Sequence, residues 1–206
     1  MSVGLRAAAL GLAAVLLGGA FVLGQRGNTE FEVVAPEPTT GSSEMGADRL
    51  ADLRAAAALA PCPAGLGSAF PDLVLPCLGG GPSVALQAAP PGRPTLVNVW
   101  GSWCGPCAEE MPDLVAFAER AGDRVGLVGV LTTDTQERGL AFSRDFGVRW
   151  PSVVDDDGAV LRAFLPGPPV TLFVDADGVV VHRKSGKFSN LAELEALVAV
   201  HLGVAL

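Results

Sequence analysis

The chain has 206 residues, enough for one domain of ordinary size and an attached segment, and half of its residues are hydrophobic. Its net charge is −8, and its only lysines are Lys184 and Lys187. This composition provides no basic surface to neutralise phosphates, so we expect no nucleic-acid partner. Two histidines and four cysteines make a small inventory of metal ligands and nucleophiles, which directs attention to the cysteines.

The N-terminus contains an apolar stretch without charged residues, from Ala7 to Gly24. As a helix it would span roughly 27 Å, close to the ~30 Å hydrocarbon core of a bilayer. A cleaved signal peptide is the alternative, because the small residues that end at Ala20 resemble a cleavage site. The apolar run, however, continues beyond them. We predict a membrane anchor over 1–25, followed by a flexible linker over 26–47 that is rich in Gly, Pro, Ser and Thr.

The remaining residues, 48–206, have the pattern of a single α/β domain. A short helix is expected over 48–58, and strands and helices alternate from residue 95 onward. The expected strands are 95–100, 125–131, 151–154, 170–175 and 179–182, and the later helices are 105–121, 135–146, 159–165 and one capped by Asn190 that ends near residue 202. This order of elements predicts a mixed sheet flanked by helices.

The motif WCGPC, residues 103–107, follows a predicted buried strand and begins a predicted helix. A thiolate at a helix N-terminus meets free N–H groups and the positive end of the helix dipole, so its pKa falls below the ~8.5 of a free cysteine. Two intervening residues let the second sulfur reach the first within one turn, so a mixed disulfide can be resolved internally. We therefore expect Cys104, partly exposed, to attack a client disulfide and Cys107, buried, to release the client.

Other chemistries fit the cysteines less well. A zinc ribbon needs a second close cysteine pair, whereas Cys62 and Cys77 are separated by 14 residues. Two acidic clusters, 155–158 and 175–178, lack the downstream glutamate of an EF-hand and are typical of turns. We expect neither a metal nor another cofactor.

The wider sequence LVNVWGSWCGPC, residues 96–107, with Glu110 and Pro112 behind it, resembles the TlpA/ResA-type thioredoxin-like proteins. The resemblance, over roughly 69–203, implies a thioredoxin-like fold in a membrane-anchored disulfide reductase that faces outward. It also implies that Pro169 is a cis-proline that faces the disulfide and takes part in the active site. The residues expected to contact a client peptide are Trp103, Gly105, Pro106, Pro168 and Val170.

The resemblance also implies a role for Glu110 in proton transfer. Thioredoxins carry a buried aspartate as the proton acceptor for the resolving cysteine, and this chain has Asn98 at that position, which cannot take up a proton. Glu110 lies one helical turn after Cys107 and matches a glutamate that reductases of this family place near the active site. It is therefore a candidate proton relay, and a solvated helix residue is the alternative.

Cys62 and Cys77 lie in loops with no helix start to activate a thiol. A disulfide between them would close a loop of about 15 residues and contribute roughly 3 kcal/mol in the chain-entropy model. Such a bond is stable only in an oxidising compartment, which favours an extracytoplasmic domain. A second redox pair that relays electrons is the alternative.

The sequence thus predicts a single-pass protein of the cell membrane that exchanges disulfides through Cys104 and Cys107. By resemblance, its clients are exported proteins such as apocytochrome c, and a membrane thiol donor of CcdA type re-reduces it. The same site could act as a disulfide oxidase. A tethered module that binds a client or a metal without turnover is the remaining alternative.

Overall fold

The computed structural model describes residues 40–164 and 167–206. The predicted anchor and most of the predicted linker lie outside these residues, so the boundaries 1–25, 26–47 and 48–206 stay predictions. Within the described residues, no helix combines the length and the apolar character needed to cross a membrane. Helix α1, Thr40–Ala57, begins eight residues before its expected start and includes the end of the predicted linker. Extending a formed helix gains one hydrogen bond for each residue ordered, so weak helix formers can join it.

A five-stranded mixed sheet forms the centre of the domain, and its spatial order is β5-β4-β3-β6-β7. Its strands are β3 (Thr95–Trp100), β4 (Gly126–Thr132), β5 (Ser152–Asp155), β6 (Val170–Val174) and β7 (Val180–Ser185). Strands β3, β4 and β5 run parallel, and β6 and β7 are antiparallel to their neighbours. A separate small hairpin pairs β1 (Val74–Leu75) with β2 (Val84–Ala85). The predicted mixed sheet flanked by helices is therefore confirmed, and its fold is thioredoxin-like.

Helices cover both faces of the sheet. They are α2 (Gly105–Ala121), α3 (Gln136–Phe146), α4 (Ala159–Ala163) and α5 (Leu191–Leu202). Alternate residues of β3 point to opposite faces, as a strand requires. Leu96 and Trp100 pack in a core with Leu114 and Phe117 of α2, whereas Val97 and Val99 belong to a second core on the other face. Asn98 shares the face of Leu96 and therefore points toward α2.

The acidic cluster at 155–158 contains a buried carboxylate rather than only a turn. Asp155 ends β5 and is fully buried. Its carboxylate accepts hydrogen bonds from the Thr132 hydroxyl (2.9 Å) and from the backbone N–H groups of Val160 (3.1 Å) and Leu161 (3.2 Å). It thereby satisfies free N–H groups at the start of α4. The second cluster does form a turn, in which Asp175 accepts from the N–H groups of Asp177 and Val179.

Candidate active site

The two cysteines of the WCGPC motif lie where the central strand β3 passes into α2. Cys104 is the N-cap of α2, with extended backbone angles, and Cys107 lies in its first turn. Their sulfurs form a disulfide with a Cα–Cα distance of 5.2 Å. The N–H of Cys107 donates to Cys104 Sγ at 3.2 Å, so the Cys104 sulfur occupies the place of a capping oxygen. This geometry would favour a thiolate at Cys104 over one at Cys107.

The expectation that Cys104 is partly exposed is wrong for this disulfide form. Cys104 is 4% exposed and Cys107 is fully buried. The reason is that the Cys104 sulfur turns into the first helical turn, where it bonds to Cys107 and accepts its N–H. Exposure at the site comes instead from Trp103, which is 52% exposed.

The loop before Cys104 is held by contacts that the sequence did not indicate. Asp134, which precedes α3, accepts the N–H of Ser102 at 2.7 Å through Oδ2, and its Oδ1 accepts from Arg138 at 2.8 Å. A Cβ on Gly101 would lie 2.7 Å from the indole nitrogen of Trp103, so a larger residue there would require the half-exposed Trp103 ring to shift. Asp134, which fixes the N–H of Ser102 in the loop before Cys104, is a positioning residue absent from the sequence-based site.

The peptide bond between Pro168 and Pro169 is cis. Pro169 precedes β6, whose first residue, Val170, pairs with Val99 of β3, so Pro169 stands at the same end of the sheet as Cys104. Its carbonyl accepts the N–H of Gly186 at 2.9 Å. Of the expected client-contacting residues, Trp103, Gly105 and Pro106 are exposed and Pro168 is half-buried. Val170 is fully buried, so its side chain belongs to the core and only its backbone could meet a client.

Glu110 lies in α2, one helical turn after Cys107, and only 1% of its surface is exposed, so it is not a solvated helix residue. Its Oε1 accepts from Asn98 Nδ2 at 3.0 Å, and its Oε2 accepts from the N–H of Phe188 at 3.1 Å. Burial raises the pKa of Glu110 to about 7, and the two hydrogen bonds and the charge of Lys184 oppose that rise. A carboxyl group with this pKa can both accept and return a proton near neutral pH.

Both lysines of the chain are near enough to this carboxylate for their charges to favour its ionised form. Lys184 is on β7, where it forms an ion pair with Glu193 at 3.7 Å, and Lys187 pairs with Glu109. Glu109 precedes Glu110 in α2 but points outward, and its side chain is 61% exposed. Two adjacent glutamates therefore have opposite environments, because Glu109 is exposed to solvent and Glu110 is buried.

The second disulfide joins Cys62 to Cys77, with a Cα–Cα distance of 6.0 Å. Cys77 forms a β-bridge with Val153 of β5, the edge strand, while Cys104 follows β3 at the centre of the sheet. Successive strands are about 4.8 Å apart, so three such steps place Cys77 roughly 14 Å from the line of β3. The structure does not bring the two cysteine pairs together, which argues against direct electron relay between them.

The fold and this site define a thioredoxin-fold protein of the kind that exchanges thiols and disulfides. The family model Redoxin matches residues 66–198, well over half of the chain, and the chain belongs to that family. The predicted resemblance to ResA-type thioredoxin-like proteins is thereby confirmed at the level of the family. The names of these relatives describe thiol–disulfide exchange.

Three relatives illustrate the similarity. The "Thiol:disulfide interchange protein DsbE" of Allochromatium vinosum is 33% identical over 117 residues, which cover 54% of this chain and 64% of that protein. The "Thiol-disulfide oxidoreductase ResA" of Geobacillus kaustophilus is 34% identical over 132 residues, covering 61% and 72%. The solved structure of MTB dsbF has a TM-score of 0.56 and 26% identity, covering 65% of this chain and 98% of that one. The chain thus spans less than two thirds of the Allochromatium protein.

Proposed function

We propose that this chain is a single-pass membrane protein whose extracytoplasmic domain reduces disulfides in exported proteins. One observation carries the proposal. The Cys104–Cys107 disulfide caps α2, and the buried carboxyl group of Glu110 lies one turn further along the same helix. This arrangement supplies an attacking thiol, a resolving thiol and a proton acceptor.

The reaction begins with the reduced pair. The Cys104 thiolate attacks one sulfur of a client disulfide, the client S–S bond breaks, and the other client sulfur leaves as a thiolate. Cys107 then gives its proton to Glu110, directly or through a water, and its thiolate attacks Cys104 Sγ. The bond between Cys104 and the client breaks, and the second client sulfur leaves as a thiolate. The client has gained two electrons, and Cys104 and Cys107 have become the disulfide.

The location and the partners rest on weaker support and are part of the same proposal. The apolar segment of residues 7–24 is long enough to anchor the chain. The Cys62–Cys77 disulfide fits an oxidising compartment outside the cytoplasm. In that compartment clients would be exported proteins, with apocytochrome c as a candidate, and two electrons must return to Cys104 and Cys107 from a membrane thiol donor of CcdA type.

Trapping tests the chemistry. Cys107→Ala should accumulate mixed disulfides between Cys104 and a disulfide-bonded substrate such as insulin, because the resolving thiol is missing. Cys104→Ala is the matched control and should trap far less. A binding module without turnover would trap nothing in either variant and would leave insulin unreduced by the unmodified chain.

The reduction potential of the pair tests the direction. A value near that of thioredoxin, about −270 mV, supports a reductase, whereas a value near −120 mV, as in DsbA, would make the protein an oxidase. Spheroplasts that express the full chain test the location. The chain should fractionate with the membrane, and protease added outside the cells should digest its domain. A protected domain, or a chain recovered in the soluble fraction, would overturn that part of the proposal.

A further inference from the structure

Asn98 lies at the centre of a buried polar cluster that links three elements. Its Nδ2 donates to Glu110 Oε1 of α2 at 3.0 Å and to the Thr171 hydroxyl of β6 at 2.9 Å. Asn98, Glu110 and Thr171 are each 1% exposed. The Asn98 Oδ1 atom is also buried, and it accepts no hydrogen bond from any of the described residues. The amide group whose Nδ2 donates to the Glu110 carboxylate therefore also carries an acceptor, Oδ1, that the described residues leave without a donor.

The neighbours of Glu110 differ in what they can do when the carboxyl group changes its protonation state. The Phe188 N–H is a fixed donor, so Oε2 must remain an acceptor in both states. A proton on Glu110 is therefore best placed on Oε1, which then becomes a donor and can no longer face an NH₂ group. Asn98 is the residue that contacts Oε1 in the described structure.

An amide side chain can meet both requirements because it carries a donor and an acceptor at the same distance from its axis. We propose that Asn98 is a positioning residue that serves both protonation states of Glu110 by rotating its amide through about 180°. In the charged state Nδ2 donates to Glu110. In the neutral state Oδ1 accepts the proton of the carboxylic acid. The Thr171 hydroxyl can accept or donate, so it can follow either orientation.

The rotation rests on the proposed function and accounts for the presence of asparagine at this position. When Cys107 transfers its proton to Glu110, the proton on Oε1 meets Oδ1 instead of an NH₂ group, and the neutral acid is satisfied. An aspartate at this position would place a second carboxylate against Glu110, and like charges at this distance disfavour ionisation of both.

Several charged groups lie near Asn98 and Glu110. They shift the pKa of Glu110 but are not among the hydrogen-bond partners of its Oε1 atom. Lys184 of β7 and Lys187 of the following loop favour the charged carboxylate, and Asp113 of α2 disfavours it. Glu109 is neutralised by Lys187. None of these groups changes between donor and acceptor as Asn98 can.

The first test uses the reduced, otherwise unmodified chain. The side-chain NH₂ resonances of Asn98 and the carboxyl ¹³C resonance of Glu110 are followed by NMR from pH 5 to 9. We expect the Asn98 NH₂ resonances to titrate with the midpoint of Glu110 and their contacts to move away from Glu110 at low pH. Asn98 resonances that keep the same contacts on both sides of the Glu110 midpoint would overturn the rotation.

The second test uses Asn98→Leu, which keeps the size of the side chain but can neither donate nor accept. Leucine removes both the hydrogen bond to the charged carboxylate and the weaker one to the neutral acid. The Glu110 midpoint, and with it the pH profile of resolution by Cys107, should therefore move upward by about one pH unit. Formation of the mixed disulfide by Cys104 should change less than about twofold. Asn98→Asp should shift the profile in the same direction.

The outcomes separate the inference from the proposed function. If the unmodified chain forms no mixed disulfide, the proposed function fails. If it forms and resolves one, and Asn98→Leu has the same pH profile, only the role of Asn98 fails. If Asn98→Leu does not fold, the NMR titration of the unmodified chain decides.

Discussion

Replacing Glu110 with glutamine removes the titrating group and keeps the shape of the side chain. The pKa of Glu110 is raised from 4.5 to about 7, mainly by burial. The folded protein therefore holds this proton more tightly than the unfolded chain does. Its contribution to stability is complete below pH 4.5 and is lost as the pH rises toward 7. A shift of this size corresponds to about 3 kcal/mol.

Glutamine has no charge to lose, so Glu110→Gln should lack this decline. We expect the free energy of unfolding of the variant, relative to the unmodified chain, to rise by about 3 kcal/mol between pH 4.5 and pH 8. Urea titrations of the oxidised proteins at several pH values measure it. Glu109→Gln is the matched control, because Glu109 is exposed and next to Glu110, and its curve should run parallel to that of the unmodified chain. A parallel curve for Glu110→Gln would refute the reasoning.

The same variant tests the proton relay. Resolution of the mixed disulfide by Cys107 should slow by about ten- to a hundredfold at pH 7, since a positioned general base contributes at least that much. Attack by Cys104 should change much less. Stopped-flow measurement of both steps from pH 6 to 9 separates them. Unchanged resolution across that range would mean that the Cys107 proton goes to bulk water.

Three further changes test other parts of the structure. Replacing Cys62 and Cys77 with serine should lower the free energy of unfolding by roughly 3 kcal/mol and leave insulin reduction within twofold, and activity that falls with the pair would instead indicate a relay. Asp155→Ala leaves three donors without an acceptor and should cost about 2–4 kcal/mol in urea unfolding; a change below about 0.5 kcal/mol would contradict that role. Iodoacetamide at pH 6 should alkylate Cys104 of the reduced protein at least tenfold faster than Cys107, as read by mass spectrometry, and the reverse order would exchange their roles.

The parts of the site that depend on neighbours in the chain could be predicted from the sequence. Only two residues separate the cysteines of the disulfide, and the first turn of a helix brings residues at this spacing together without help from distant elements. The strand over 95–100 and the helix over 105–121 agree with the structure because an apolar run and an amphipathic pattern are local signals. The same signals predicted a mixed sheet flanked by helices, and the resemblance around the WCGPC motif added the thioredoxin-like fold.

The environment of each site residue was decided only by the tertiary structure. Glu109 and Glu110 are adjacent glutamates in one helix, and nothing local distinguishes the exposed one from the buried one. The partners of Glu110 are 12 residues away at Asn98 and 78 residues away at Phe188, and they meet it only when the sheet and α5 enclose α2. Burial and hydrogen bonding set a pKa through space, so the sequence determined which groups could do the chemistry, and the packing of distant elements decided which of them is held in a state to do it.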